Sequence, residues 1–142
     1  MTNTIRILLV EPMEKPKLVN IEHSLKSLQK LVGGNIEMTY PFEDEYLAVI
    51  SNEESKLLDL PPNRAIRRAD GSVIDIYCGT MVVVALAPEG EYRDLTNKEA
   101  KTVMKMWGVP EDKDDWGGAK PNTTIRVFAS PEAIEMMGGA FA

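Results

Sequence analysis

The chain has 142 residues, 44% of them hydrophobic and 27% charged, with a formal net charge of −6. That length suits one domain with a real core, and the acidic balance argues against a general binder of duplex nucleic acid, which needs clustered Lys and Arg to neutralise phosphates. The single cysteine, Cys78, excludes an intrachain disulfide framework and fits a reducing compartment. The N-terminal apolar run is too short for a signal peptide, and no stretch approaches the roughly 20 apolar residues of a membrane span, so a cytoplasmic protein without a membrane partner is expected.

In chain order, residues 5–10 (I-R-I-L-L-V) read as a buried strand bounded by Glu11 and Pro12, and residues 17–21 as a second strand. From 21 to 32 the apolar residues Leu25, Leu28, Leu31 and Val32 recur at helical spacing, and Gly33 stands where a left-handed residue ends a helix. Residues 36–40 and 46–51 read as a strand pair. Residues 52–59 predict a short helical turn capped by Asn52, and Pro61-Pro62 stops it. Residues 63–69 are expected to be extended or turn-like. Asp70-Gly71 marks a hairpin turn before strands at 73–76 and 81–87. Thr96-Asn97-Lys98-Glu99 is a capping box that opens a helix carrying Ala100, Val103, Met104 and Trp107 on one side, ended by Gly108 and Pro110. Beyond it come an acidic stretch, Gly117-Gly118, a strand at 124–129 and a short helix at 131–137. The predicted architecture is α+β: a mostly antiparallel sheet with two main helices packed on it. Residues 1–110 form the body and 111–142 an extension packed on the same domain.

Between Leu28 and Arg64 the glycines, amides and mixed charges sit where neither core packing nor ordinary surface chemistry asks for them. The pieces are Leu28, Gln29, Val32, Gly33, Gly34, Ile36 and Glu37, then Asn52, Glu53, Glu54 and Lys56, then Leu60, Pro61, Asn63 and Arg64, and finally Gly79 and Thr80. This pattern resembles a family of small domains of unknown function found mainly in phages, plasmids and Gram-positive bacteria. The resemblance covers roughly residues 5 to 106. It implies a phage or mobile-element setting and carries no activity with it.

Enzyme motifs are mostly missing. The sole histidine, His23, reads as a residue at the start of a helix, and Cys78 as a buried structural thiol. One Cys and one His do not make a zinc site, and no phosphate-cradling glycine loop is present. The acidic runs 43–45, 53–54 and 112–115 read as solvating and helix-start acids before they read as Mg²⁺ ligands or acid–base pairs. No catalytic residue, metal or cofactor is assigned.

The cationic cluster says more, for three of the six arginines, Arg64, Arg67 and Arg68, fall within five residues. Guanidinium groups bind phosphate or carboxylate through paired donors and stack on bases. Asn63 and Asn52 add amides able to read a base edge or ribose, Lys56 adds a cation, and Trp116 in a glycine-flanked loop is expected to be partly exposed and able to stack. Gly33 and Gly34 would let a ligand or another subunit approach the backbone. The competing structural reading pairs Arg64, Arg67 and Arg68 with the acidic runs and makes Asn52, Glu53 and Lys56 a capped turn with an ion pair. Met104, Met106, Met136 and Met137 suggest adaptable packing in the core or between subunits.

Two function classes follow. The first is a non-enzymatic binder of a small anionic, nucleotide-like ligand, acting as a homo-oligomer and sequestering a nucleotide signal of bacterial immunity. The alternative is an acidic protein-binding inhibitor or DNA mimic directed at a host defence protein. A hydrolase using the loop carboxylates ranks last.

Overall fold

A computed structural model describes residues 3–121 of the chain. Eight strands and two α-helices follow in order: β1 (Thr4–Val10), β2 (Lys17–Glu22), α1 (Leu25–Val32), β3 (Ile36–Thr39), β4 (Leu47–Asn52), β5 (Pro62–Arg67), β6 (Val73–Cys78), β7 (Met81–Leu86), β8 (Tyr92–Arg93) and α2 (Asn97–Trp107). The fold is α+β, and every strand pair among the described residues is antiparallel.

The main sheet runs β2-β1-β7-β4-β3, with β8 pairing to the end of β7. Its centre is β7, M-V-V-V-A-L, in which all six residues are buried. A strand buried on both faces has no reason to alternate polar and apolar residues, so a continuous apolar run is what its position demands. Met81, Val83 and Ala85 face one core with Trp107, Val103, Ala100, Leu95, Ile66 and Tyr77. Val82, Val84 and Leu86 face the other with Leu28 and Val32 of α1. Thus α1 covers one side of the sheet, while α2 and the β5–β6 hairpin share the opposite side. Full burial of a Val or Leu contributes about 1.5–3 kcal/mol, so the two faces of β7 contribute heavily to stability.

Local chemistry sets the helix bounds. α1 is shorter than the 21–32 expected from periodicity. β2 continues through Glu22, and Ser24 then caps the helix, its side chain accepting from the Ser27 N–H. The apolar residue Ile21 belongs to the strand, where period two places it on the α1 face beside Val19. Gly33 ends α1 at φ +80, as its position suggested. α2 carries the predicted capping box, with Thr96 accepting from the Glu99 N–H and Glu99 accepting from the Thr96 N–H. Ala100, Val103 and Trp107 are buried, but Met104 and Met106 are 39% and 41% exposed, so neither is core. The expected helical turn at 52–59 is a series of hydrogen-bonded turns and no helix. The strand at 124–129 and helix at 131–137, with Met136 and Met137, lie outside the described residues. No described helix is long and apolar enough to cross a membrane.

Candidate functional site

The residues that stood out in the sequence come together, and what they mostly bind is the protein itself. Asn63 is fully buried in β5, and its side-chain amide donates to the carbonyls of Val10 (2.9 Å) and Gly79 (2.8 Å). Gly79, at φ +78, returns a backbone hydrogen bond to the Pro61 carbonyl. A Cβ on Gly79 would lie 2.8 Å from a Leu60 methyl, so leucine, proline, asparagine and glycine of the pattern interlock as one turn-closing unit. Asn52 plays the same part at the end of β4. Its amide donates to the Val32 carbonyl (3.2 Å) and its oxygen accepts from the Glu54 N–H (2.8 Å). Gly34 is bare because the Asn52 amide fills the space, 2.8 Å from where a Cβ would stand. The glycine pair therefore serves a helix stop and a side-chain contact; the backbone access expected there is taken up by Asn52.

Arg64 corrects the reading of a phosphate ligand most directly. Its side chain is fully buried. Nε donates to the Trp107 carbonyl (3.0 Å), Nη1 to the Asn63 side chain (2.8 Å) and Nη2 to the Glu14 carbonyl (2.7 Å). Burial pulls its pKa down from the ordinary arginine range, against the opposing charge of Glu111. A guanidinium cannot shed its proton under ordinary conditions, so it is a buried cation satisfied by carbonyl dipoles, one of them at the negative C-terminal end of α2. Lys56 is committed too, in an ion pair with the buried Asp75.

Trp116, expected in an exposed loop, is buried at 6% exposure against Ala65 and Ile76. Its indole donates to Glu111 (2.9 Å). The same carboxylate oxygen accepts from the Ala65 N–H (3.0 Å) and from Arg67 Nη2 (3.3 Å). Glu111 is itself buried, a hub that sequence reasoning missed, since an acid in an acidic run after proline reads as solvated. The runs at 112–115 close a single 3₁₀ turn, Asp112 and Asp115 capping each other's backbone. Cys78 is buried, and desolvation raises its thiol to about 11, the inert thiol that was expected. His23 precedes the Ser24 cap and meets Tyr92 edge to face at 5.8 Å. Among the described residues no three His, Cys, Asp or Glu side chains converge as a metal site.

Two of the sequence-predicted residues face a cavity. A groove of about 320 Å³ opens between the loop 41–44, residues 67–69 and the outer side of α2 at Thr102 and Met106. Phe42 is buried at its base, its ring edge to face with Trp107 at 5.3 Å. Arg67 and Arg68 line one wall, and Glu43 and Asp44 the loop opposite. Arg67 is half-buried and pinned through Nη2 to Glu111 and the Asp115 carbonyl, whereas Arg68 is exposed at the hairpin turn, its Nη1 near the Val73 carbonyl. Phe42 and Thr102 carried no local signal, and Met106 only one of adaptable packing, because three separate segments assemble the groove.

Comparison with known proteins gives a family and no activity. The family model described as a domain of unknown function (DUF3846) matches residues 5–108. No curated protein matches, and no solved structure matches.

Proposed function

We propose that this chain, which belongs to the DUF3846 family of domains of unknown function, is a non-enzymatic binder of a small anionic, nucleotide-like ligand held in the groove beside Arg67 and Arg68. The observation that carries this reading is the groove's mixed lining. It joins an apolar base at Phe42 and Met106, two guanidinium groups on one wall, and two carboxylates on the other. Its volume lies at the small end of ligand sites, which suits a mononucleotide-sized molecule. A nucleotide matches both walls: its phosphate takes paired donors from guanidinium groups, and the N–H edge of its base offers donors to Glu43 or Asp44. A simple inorganic anion would meet the carboxylates as like charges. Asn63, Arg64, Asn52, Lys56 and Trp116 leave the site, since each is engaged inside the fold. Sequestration of a nucleotide immune signal in a phage or mobile-element setting is the use we attach to such a site, because sequestration needs affinity without turnover.

The second reading, a protein-binding module, is favoured by one feature. The turn after β4 presents Leu57 and Leu58, 71% and 54% exposed, among the acids Glu53, Glu54 and Asp59.

A thermal-shift panel of linear, cyclic and ADP-ribose-type nucleotides tests the first reading, with Arg68→Glu and Thr102→Trp run alongside. A ligand at 1,000 times its dissociation constant should stabilise the fold by about 4 kcal/mol, a rise of several degrees. The shift should vanish in both variants while their unliganded melting stays near that of the parent. A flat panel sinks the nucleotide reading and sends the search to a protein that grips Leu57 and Leu58.

A further inference from the structure

The strands at the margins of this protein are treated unequally. On the outer side of β5, the Ala65 N–H donates to the Glu111 carboxylate and the Ala65 carbonyl accepts from the Trp107 indole. Side chains thus close that edge. Among the described residues, the far edge of the main sheet, β3, spans four residues. The other edge, β2, spans six, K-L-V-N-I-E, and its pairing with β1 shows no bulge. Proline, a central charge or a bulge would blunt such an edge, and residues 18–21 contain none of them.

The hydrogen-bond phase of β2 identifies its outward groups. The β1–β2 register continues past Thr4↔Glu22 to Asn3 and His23, where the His23 N–H donates to the Asn3 carbonyl at 2.8 Å. Hydrogen-bonded pairs alternate along an antiparallel ladder, so Lys17, Val19 and Ile21 turn their backbone groups toward β1. Leu18, Asn20 and Glu22 turn theirs away. The Glu22 carbonyl already accepts from the Ser24 N–H and the Ser27 hydroxyl, and Pro16, next in the outward series, has no N–H to give. Leu18 and Asn20, both exposed, remain as the outward donors and acceptors, with no partner strand among the described residues.

We propose that β2 pairs antiparallel with β2 of a second copy of this chain, about a two-fold axis that is normal to the sheet and passes between Val19 and the partner's Val19. Leu18 then lies opposite Asn20 of the partner subunit, and Asn20 opposite the partner's Leu18, which makes four main-chain hydrogen bonds. Val19 meets the partner's Val19 in the non-hydrogen-bonded position, where side chains approach closest. Sliding the register by two residues would require either the occupied Glu22 carbonyl or the missing N–H of Pro16, so the available groups select this one alignment. Antiparallel pairing also brings Lys17 to the end where the partner's Glu22 lies, while a parallel one would set Lys17 against Lys17. Val19 and Ile21 stand half-buried on the α1 face, toward the margin of the sheet, since α1 packs mainly over β4, β7 and β3. Joining two copies continues that apolar strip across the axis. The contact is small beside a standard interface, so the dimer is concentration-dependent.

Sedimentation velocity over a concentration series on the full chain, with Asn20→Pro and Val19→Lys, tests this. The parent should move from monomer toward dimer mass as concentration rises. Asn20→Pro removes an N–H that β1 does not use, and Val19→Lys sets two ammonium groups against each other on the axis without touching the backbone. Both should remain monomeric at concentrations where the parent is dimeric, with far-ultraviolet circular dichroism like that of the parent. If the proline variant misfolds, the lysine variant decides. A parent that stays monomeric at high micromolar concentration overturns the proposal, and so does a dimer that persists unchanged in Val19→Lys.

Discussion

Arg64 and Trp107 bind one another's neighbourhoods reciprocally: the Arg64 Nε donates to the Trp107 carbonyl at 3.0 Å, and the Trp107 indole donates at 3.0 Å to the carbonyl of Ala65, the residue after Arg64. Both side chains are fully buried. The pair locks the C-terminus of α2 to β5, and through the Glu14 carbonyl the same guanidinium holds the β1–β2 loop.

Truncating Arg64 should therefore cost stability across the fold. Arg64→Ala leaves the carbonyls of Trp107 and Glu14 without their partner and opens a cavity, each a penalty of about 1–3 kcal/mol. Urea unfolding should show a total loss of about 3 kcal/mol or more. Arg64→Lys should recover only part of it, because one ammonium cannot span the positions that a planar fork reaches. A parent-like urea midpoint for Arg64→Ala would contradict this account.

Glu111 ties three groups through one oxygen, and its two simplest replacements separate charge from hydrogen bonding. Glu111→Gln keeps a carbonyl oxygen for the Ala65 N–H and the Trp116 indole but loses the attraction to Arg67. It should cost about 1 kcal/mol, whereas Glu111→Ala, which orphans a buried N–H, should cost about 2–3 kcal/mol. Tryptophan fluorescence should shift to the red in the alanine variant as Trp116 gains water. Equal losses for the two variants would mean that only the charge matters.

Acid should weaken the start of α2. Bidentate hydrogen bonds from Arg93, both 2.8 Å, hold the Glu99 carboxyl below the ordinary glutamate range, helped by the Thr96 backbone and side chain. A carboxylate whose pKa is depressed on folding stabilises the fold above its unfolded value, near about 4.3, and loses that contribution as pH falls through the lower folded value. The melting-temperature gap between the parent and Glu99→Gln should be widest near neutrality and narrow below pH of about 4. A gap that widened in acid would reverse the sign and refute the linkage.

The Cys78 thiol should resist alkylation in the native state. It is buried, and desolvation raises it to about 11, so thiolate is scarce at pH of about 8. Labelling with a maleimide should be slow for folded protein and rapid in denaturant. Fast native labelling would show that β6 opens readily.

Much of the architecture could be read from the chain because local forces write it. The Thr96–Glu99 capping box, the left-handed Gly33, the Asp70-Gly71 turn and the apolar run of β7 each declare themselves within a few residues, and each stands where expected. The end of β2 was harder, since Ile21 fits both a helical and a strand period, and the Ser24 cap decides between them. The site was not legible in the same way. A guanidinium in sequence looks the same whether it will meet solvent, a phosphate or the carbonyl of Trp107, and its role is fixed by what lies beside it 43 residues later in the chain. Arg64 and Arg67 differ in surroundings for that reason alone, one fully buried and the other half-buried at the groove. Asn63, Asn52 and Trp116 were drawn inward because backbone carbonyls and the buried Glu111 oxygen needed partners that only the folded chain could bring within 3 Å or so. Local propensity and hydrophobic pattern thus determined the elements, while long-range satisfaction of buried polar groups decided which side chains remain to line the groove.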